Sequence, residues 1–255
     1  MTSIKISGKP INRAKESALL TVGNPNDSIV YPYMPSVNFQ DDIEYEIQTA
    51  VRKHNVNNLP INGSVSLYVE LYTDKLSPIT GVLKNIQDAL NGVAYTDDRN
   101  VSSVLIRRLP KTTPHDVIKI NIIVTRPIEG ITDTVGKYKD YVAYKVDVET
   151  VIESDYLPYV MDGNGILLPQ KDDITQLFIR NTLLRNYHGD LLEGQIDLSV
   201  IMGSDSIDGD IDNLALTYIN NLEGLLFESV SQIRCLYIKR VVSLREDPFV
   251  EIAWQ

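Results

Sequence analysis

Residues 78–108 read PITGVLKNIQDALNGVAYTDDRNVSSVLIRR, and residues 210–240 read DIDNLALTYINNLEGLLFESVSQIRCLYIKR. Laid over one another without a gap, at a constant offset of 132, they agree in residue type more than in identity. Leu90 falls on Leu222, Gly92 on Gly224, Val93 on Leu225 and Tyr95 on Phe227. Farther on, Val101 falls on Ile233, Val104 on Leu236, Ile106 on Ile238 and Arg108 on Arg240. A shared apolar period over a gapless stretch of this length is the mark of an internal repeat.

The flanks repeat as well. Val65, Leu67, Val69 and Leu71 alternate with polar residues or tyrosines, as do Ile196, Leu198, Val200 and Met202, which is the period of a half-buried strand. A helix is predicted before each strand: Phe39, Ile43, Ile47 and Val51 recur every four residues, as do Ile174, Phe178 and, less regularly, Leu184 and Tyr187. After each aligned block comes another alternating strand, Ile118, Ile120, Ile122, Val124 in one half and Val250, Ile252, Trp254 in the other. Short strands at Ile4 to Ser7 and Tyr141 to Val148 open the two halves. Each half therefore reads β-α-β-α-β-β, one over residues 1–128 and one over 137–255, joined by a Pro, Gly and Thr-bearing linker at 129–136. The expected architecture is an α+β fold used twice, its halves packed like the subunits of a two-fold dimer.

Composition bounds the rest. The chain of 255 residues, 43% hydrophobic and 23% charged, excludes collagen-like, coiled-coil and wholly disordered classes. No apolar run nears the ~20 residues that cross a bilayer, and Met1 to Pro10 lacks the apolar segment of a secretion signal, so a cytoplasmic protein with no membrane partner is expected. With Cys235 the single cysteine and His54, His115 and His188 the only histidines, a zinc cage is not expected and any metal would be held by oxygen. The net charge, 24 − 34 = −10, is unevenly spread: residues 1–128 carry 14 basic and 12 acidic side chains (+2), and residues 129–255 carry 10 and 22 (−12). Excess carboxylate repels a polyanion wherever no cation neutralises it.

The segment Asp208-Gly209-Asp210-Ile211-Asp212-Asn213-Leu214 carries the clearest chemical signal. If extended, it would point Asp210 and Asp212 the same way, two carboxylates suited to Mg²⁺. A helix cap and a turn would account for the same residues. A calcium loop does not, because its sixth position is Asn213 instead of Gly and its twelfth Ile219 instead of Glu. In the first half a helix carries Lys84 and then Asp88-Ala89-Leu90-Asn91-Gly92, followed by Asp97-Asp98 ahead of the strand from Val101.

Taken together, these residues resemble the RusA-type Holliday-junction resolvases. The family pattern joins Asp-x-Asp-Asn-Leu, a Lys four residues beyond the second Asp, a helix ending Asp-Ala-Leu-x-Gly, and Asp-Asp before a strand. The resemblance covers essentially each half. It implies a homodimer-like arrangement in which the separated aspartates and the later pair bind Mg²⁺ (or Mn²⁺), the Lys assists, and a four-way DNA junction is cut. The first half matches at Lys84, Asp88, Ala89, Leu90, Gly92, Asp97 and Asp98, but has Pro78, Thr80 and Gly81 in place of the separated aspartates and Asn. The second half matches at Asp210, Asp212, Asn213 and Leu214, but has Leu216 at the Lys position and Ser229-Val230 at the pair. What one copy lost, the other kept.

Three outcomes are open. Asp97 and Asp98 of one half could meet Asp210 and Asp212 of the other in one composite site, with Lys84 stabilising transition-state charge. The second half could keep a metal site of its own, with Glu228 standing in for the missing pair beside Asp210 and Asp212. Or neither half cuts, and the chain is a non-catalytic pseudo-nuclease serving as a DNA-binding or protein-interaction module. DNA contact is expected through Lys5, Lys9, Arg13 and Lys15, a run with no acid until Glu16, and through Arg107 and Arg108, echoed by Lys239 and Arg240. Cys235 aligns with Ser103 and is expected in the core. Tyr68 and Tyr72 are expected to use the amphipathic packing of their rings on a strand.

Overall fold

The computed structural model describes residues 2–7, 37–53, 59–127, 138–149, 159–161, 167–169, 180–185, 187–204, 209–242 and 249–255. The fold is mixed α+β. Strands β1 (Thr2–Ser7), β2 (Val65–Tyr72), β3 (Val101–Leu109), β4 (Val117–Pro127), β5 (Tyr138–Glu149), β8 (Ile196–Ser204), β9 (Ile233–Val242) and β10 (Phe249–Trp254) form one eight-stranded sheet in the order β1-β10-β8-β9-β3-β2-β4-β5. β6 (Tyr159–Met161) and β7 (Leu167–Pro169) form a separate hairpin. The helices are α1 (Val37–Lys53), α2 (Ile79–Leu90) and α3 (Ile211–Leu222), with a further helical stretch at 180–185. Among the described residues no helix is long and apolar enough to cross a membrane.

The alternation read in the sequence is the alternation of burial. Along β2, Val65, Leu67, Val69 and Leu71 are buried while Ser66, Tyr68, Glu70 and Tyr72 are half-buried on the other face. Helix α2 buries Ile79, Val82, Leu83, Ile86, Ala89 and Leu90, and α3 buries Ile211, Leu214, Ala215, Tyr218, Ile219 and Leu222, the i, i+3, i+4, i+7 stripe of a helix lying on a sheet. Both helices are followed by the same tight turn. Gly92 and Gly224 each adopt φ +71°, where a Cβ is disfavoured, and donate N–H to the carbonyls of Tyr95 (2.8 Å) and Phe227 (2.7 Å).

The sheet joins its halves through β3 and β9, which pair antiparallel. In this ladder Leu105 lies opposite Tyr237, its own counterpart at the offset of 132, while Val104 meets Ile238 and Ile106 meets Leu236. Such a self-complementary register is what a two-fold axis through the Leu105–Tyr237 pair produces. β2 pairs parallel to β3 with a register shift after Val65, and β8 pairs parallel to β9 with one after Ile196. The edges depart from the sequence expectation. β1 pairs with β10 at the far end of the second half, and β5 pairs with β4 of the first. Each opening strand thus completes the other half's sheet: a ladder is made by backbone groups, which carry no mark of the half they come from.

Two arginines fasten the halves in the same symmetric way. Arg108, 7% exposed, donates to Ser77 O of its own half and at 3.2 Å to Ser231 O of the other. Arg240 donates to Gly209 O of its own half and at 3.3 Å to Arg99 O of the other. Positions 77 and 209, and 99 and 231, differ by 132.

On the sheet face away from α2 and α3, Glu70 accepts from Tyr68 Oη (2.6 Å), Tyr72 Oη (2.9 Å) and the Arg107 guanidinium, which also lies 5.3 Å from the Tyr68 ring centroid. The two tyrosines use their hydroxyls here as well as their rings. Burial pushes the Glu70 carboxyl up, but these donors together prevail and hold it at about 2. Glu70→Gln is expected to cost about 1–3 kcal/mol, read from urea unfolding at pH 7, because three donors lose their charged acceptor. With the folded value below the ordinary 4.5, this contribution is present above pH 4.5 and lost as pH falls toward 2. Cys235 is half-buried instead of lying in the core, on the wall of a cavity of about 540 Å³ with Arg107 and Arg234.

Candidate functional site

The C-terminal part of α2 places Lys84, Gln87, Asp88 and the capping Asn91 on one face, by the i, i+3, i+4, i+7 rule. Lys84 Nζ lies 3.5 Å from Asp88 Oδ2. Helix α3 starts with Asp210 as its N-cap and Asp212 in its first turn. The chain is helical from Ile211, so the extended alternation expected for Asp210 and Asp212 is not the geometry. Gly209, at φ +117°, turns the chain into this helix. An N-cap carboxylate ordinarily accepts from the first-turn N–H groups, but Asp210 makes no such bond and instead accepts from Asn213 Nδ2 at 3.0 Å.

Across the pseudo-two-fold, Asp98 meets Asp210. Asp98 opens the short 3-10 turn Asp98–Asn100 and lies beside Asp210, while Asn91 Nδ2 donates to Asp98 Oδ2 at 3.2 Å. The Asp98 carboxyl is pushed up to about 7 by loss of hydration, then by contact with Asp210 and the charge of Asp212. Asp212, 3% exposed, is pushed up to about 6 by burial, against which Lys84 acts as the counter-charge. Tyr95 is fully buried and donates to Gln87 O at 3.1 Å; its phenol is pushed well above its usual value by burial and then by Asp212, Asp98, Asp88 and Asp210. The charge of all four acids is thus felt at one phenol. The set is drawn from both halves: Lys84, Asp88, Asn91 and Asp98 from the first, Asp210, Asp212 and Asn213 from the second.

Other residues singled out in the sequence lie elsewhere or are otherwise engaged. Asp97 caps the 3-10 turn and is bound by Arg99 through the backbone N–H (2.9 Å) and the guanidinium, which hold its carboxyl well below the usual range. Glu228 is exposed, and its N–H donates to Gln232 Oε1 at 2.8 Å just ahead of the 3-10 turn Val230–Gln232, which packs against α2. Arg107 is engaged with Glu70, and the guanidinium of buried Arg108 is turned inward to two carbonyls. Lys5 lies on β1, with its backbone opposite Glu251. Lys9, Arg13, Lys15 and the linker 129–136 lie outside the described residues.

Asn91, Gln87, Tyr95 and the role of Arg240 do not stand out in the sequence by residue type alone. The signal for the first three was in the aligned block, where they stand against Glu223, Ile219 and Phe227. The Arg240 guanidinium joins Gly209 O, one residue before Asp210, to Arg99 O, one residue after Asp98, and so ties the two acidic segments together.

A donor set made only of oxygens suits Mg²⁺ or Mn²⁺. Two carboxylates in contact, with a third buried beside them, leave negative charge that a cation would neutralise. Among the described residues, no three His, Cys, Asp or Glu side chains already converge as a ready cage. The charge has a measurable consequence without metal. Asp98 and Asp212 both titrate above their ordinary 3.8, so the folded state holds more protons than the unfolded between pH 4 and 7. The share of metal-free stability that these two acids set is therefore fully present near pH 4 and is lost as pH rises to about 7; chemical denaturation across that range is expected to show a fall of about 2–3 kcal/mol from Asp212 alone.

No protein-family model matches this chain, and neither a curated protein nor a solved structure does.

Proposed function

We propose that the chain is a tandem, RusA-like, Mg²⁺-dependent endonuclease acting on branched DNA, with one composite site. What supports this reading is that the matching residues of the two copies are complementary and act on one another: Asp98 lies beside Asp210, and Lys84 and Asp88 of the first half act on the buried Asp212 of the second. Chance losses from two idle copies have no reason to spare the members of one shared cleft.

In this reading Asp98, Asp210 and Asp212 hold the cation. A bound Mg²⁺ or Mn²⁺ supplies polarisation of the scissile phosphate and acidification of a water. Asn91 and Asn213 fix the carboxylates of Asp98 and Asp210 by donating to one oxygen of each, leaving the other oxygen to accept elsewhere. Lys84 places positive charge where the attacked phosphate gains negative charge. Since the Arg108 guanidinium is turned inward, DNA contact falls to Lys5, Lys9, Arg13 and Lys15, with Arg107 at the sheet surface. The test is cleavage of a four-way junction in Mg²⁺ and in Mn²⁺, with Asp212→Asn as control. Cleavage indifferent to that substitution would refute the site.

The rival reading is a non-catalytic DNA-binding or protein-interaction module, favoured by the absence of a ready cage among the described residues. Calorimetric titration of Mg²⁺ separates the two: heat lost in Asp212→Asn supports the nuclease, and none in the parent chain supports the module.

A further inference from the structure

We infer that this chain cuts one strand of its substrate per encounter, because the fold builds two symmetry-related clefts and only one retains the groups for hydrolysis. The inference rests on the nuclease reading. The cleft that keeps the acids is framed by the start of α3, the turn Asp98–Asn100 and the face of α2 that carries Lys84, Gln87 and Asp88. The two-fold places a second cleft at the start of α2, the turn Val230–Gln232 and the matching face of α3; α2 packs on that turn, and Arg108 reaches Ser231 O beside it.

In the second cleft Pro78 and Thr80 stand where the first has Asp210 and Asp212, Leu216 replaces Lys84, and Val230 replaces Asp98. At each of those acidic positions the second cleft has an uncharged group, which cannot neutralise a cation, and at the ammonium's position it has hydrocarbon. An observation outside the acids marks the same side. Gln87, 1% exposed, has neither amide atom hydrogen-bonded and shares the helix face of Lys84 and Asn91; its counterpart, Ile219, is fully buried hydrocarbon. A buried amide without a partner calls for a ligand or a water to meet it, and of the two counterpart positions only the one beside the acids carries such an amide. Tyr95 against Phe227 repeats the contrast.

Each turnover then adds one water across one phosphodiester. The water oxygen joins phosphorus, the bond to one sugar oxygen breaks, and that oxygen takes the proton. Opposed cuts in two strands would need a second working cleft.

The test uses the full chain and a supercoiled plasmid that extrudes a four-way junction from an inverted repeat, with plasmid in excess. A nick releases the supercoiling and the junction is reabsorbed, so a one-site protein accumulates nicked circles, whereas two coordinated sites give linear plasmid. Nicked circle as the main first product is expected, abolished by Asp98→Asn and changed less than about two-fold by Thr80→Ala or Ser229→Ala. Mn²⁺ titration followed by electron paramagnetic resonance is expected to show one binding site per chain, lost in Asp98→Asn and kept in Thr80→Ala. Linear plasmid as the main first product, or loss of cutting in Thr80→Ala, overturns the inference and leaves the nuclease reading standing. No cutting with either metal overturns both.

Discussion

Asp212→Asn is expected to abolish junction cleavage, by at least ~10²-fold, while making the metal-free protein more stable at neutral pH. The two effects have opposite signs for one reason. Asp212 is 3% exposed, and burial raises its carboxyl to about 6, so at pH 7.5 the folded state bears a charge that water would solvate better. Asparagine has nearly the same shape and no charge, so the gain is about 1–3 kcal/mol at pH 7.5 and vanishes near pH 4, where the parent carboxyl is protonated in the folded state as well. Thermal unfolding at the two pH values reads the stability, and the junction assay reads the function. A structural role alone would predict lower stability with lower activity. Added Mg²⁺ should stabilise the parent and leave Asp212→Asn unmoved.

Arg240→Met and Arg108→Met form a matched pair whose stability losses should be alike and whose activities should not. Each arginine spans two carbonyls across the pseudo-two-fold, and truncation leaves both acceptors without their charged donor, at a cost of about 2–4 kcal/mol in urea unfolding. Only Arg240 ties the backbone beside Asp210 to the backbone beside Asp98. Its loss lets the two acidic segments drift, and misplacement of ~1 Å is enough to cost about 10²-fold in rate. Arg108 performs the same service for the cleft that carries Pro78 and Val230, so at a temperature where both variants are folded Arg108→Met should cut nearly as well as the parent chain. Arg240 is on this argument a positioning residue, and a lowered kcat with Mg²⁺ affinity reduced in parallel is its signature.

The residues of the candidate site were legible one by one. Lys84, Asp98, Asp210 and Asp212 stand out through the family resemblance, although a helix cap and a turn account for Asp210 and Asp212 as well. Asn91 and Tyr95 were hidden, since an asparagine after a helix and an aromatic after a turn are common for local reasons, and only the contrast with Glu223 and Phe227 marks them. Arg108 was misleading: a strand arginine reads as surface, and nothing in its neighbours announces that two carbonyls would turn it inward.

By itself the sequence determined the elements. Period-two alternation from Val65 to Leu71 and from Ile196 to Met202, the helical stripes of α2 and α3, and the repeat at an offset of 132 all follow from local burial, which each residue type expresses within a few positions of itself. Which of these residues meet was decided only by tertiary structure. The antiparallel register of β3 on β9, centred on Leu105 and Tyr237, sets Asp98 against Asp210. A shift of that ladder by two residues would part them and still leave every buried side chain on its own face, so the local pattern alone does not fix which pairs meet.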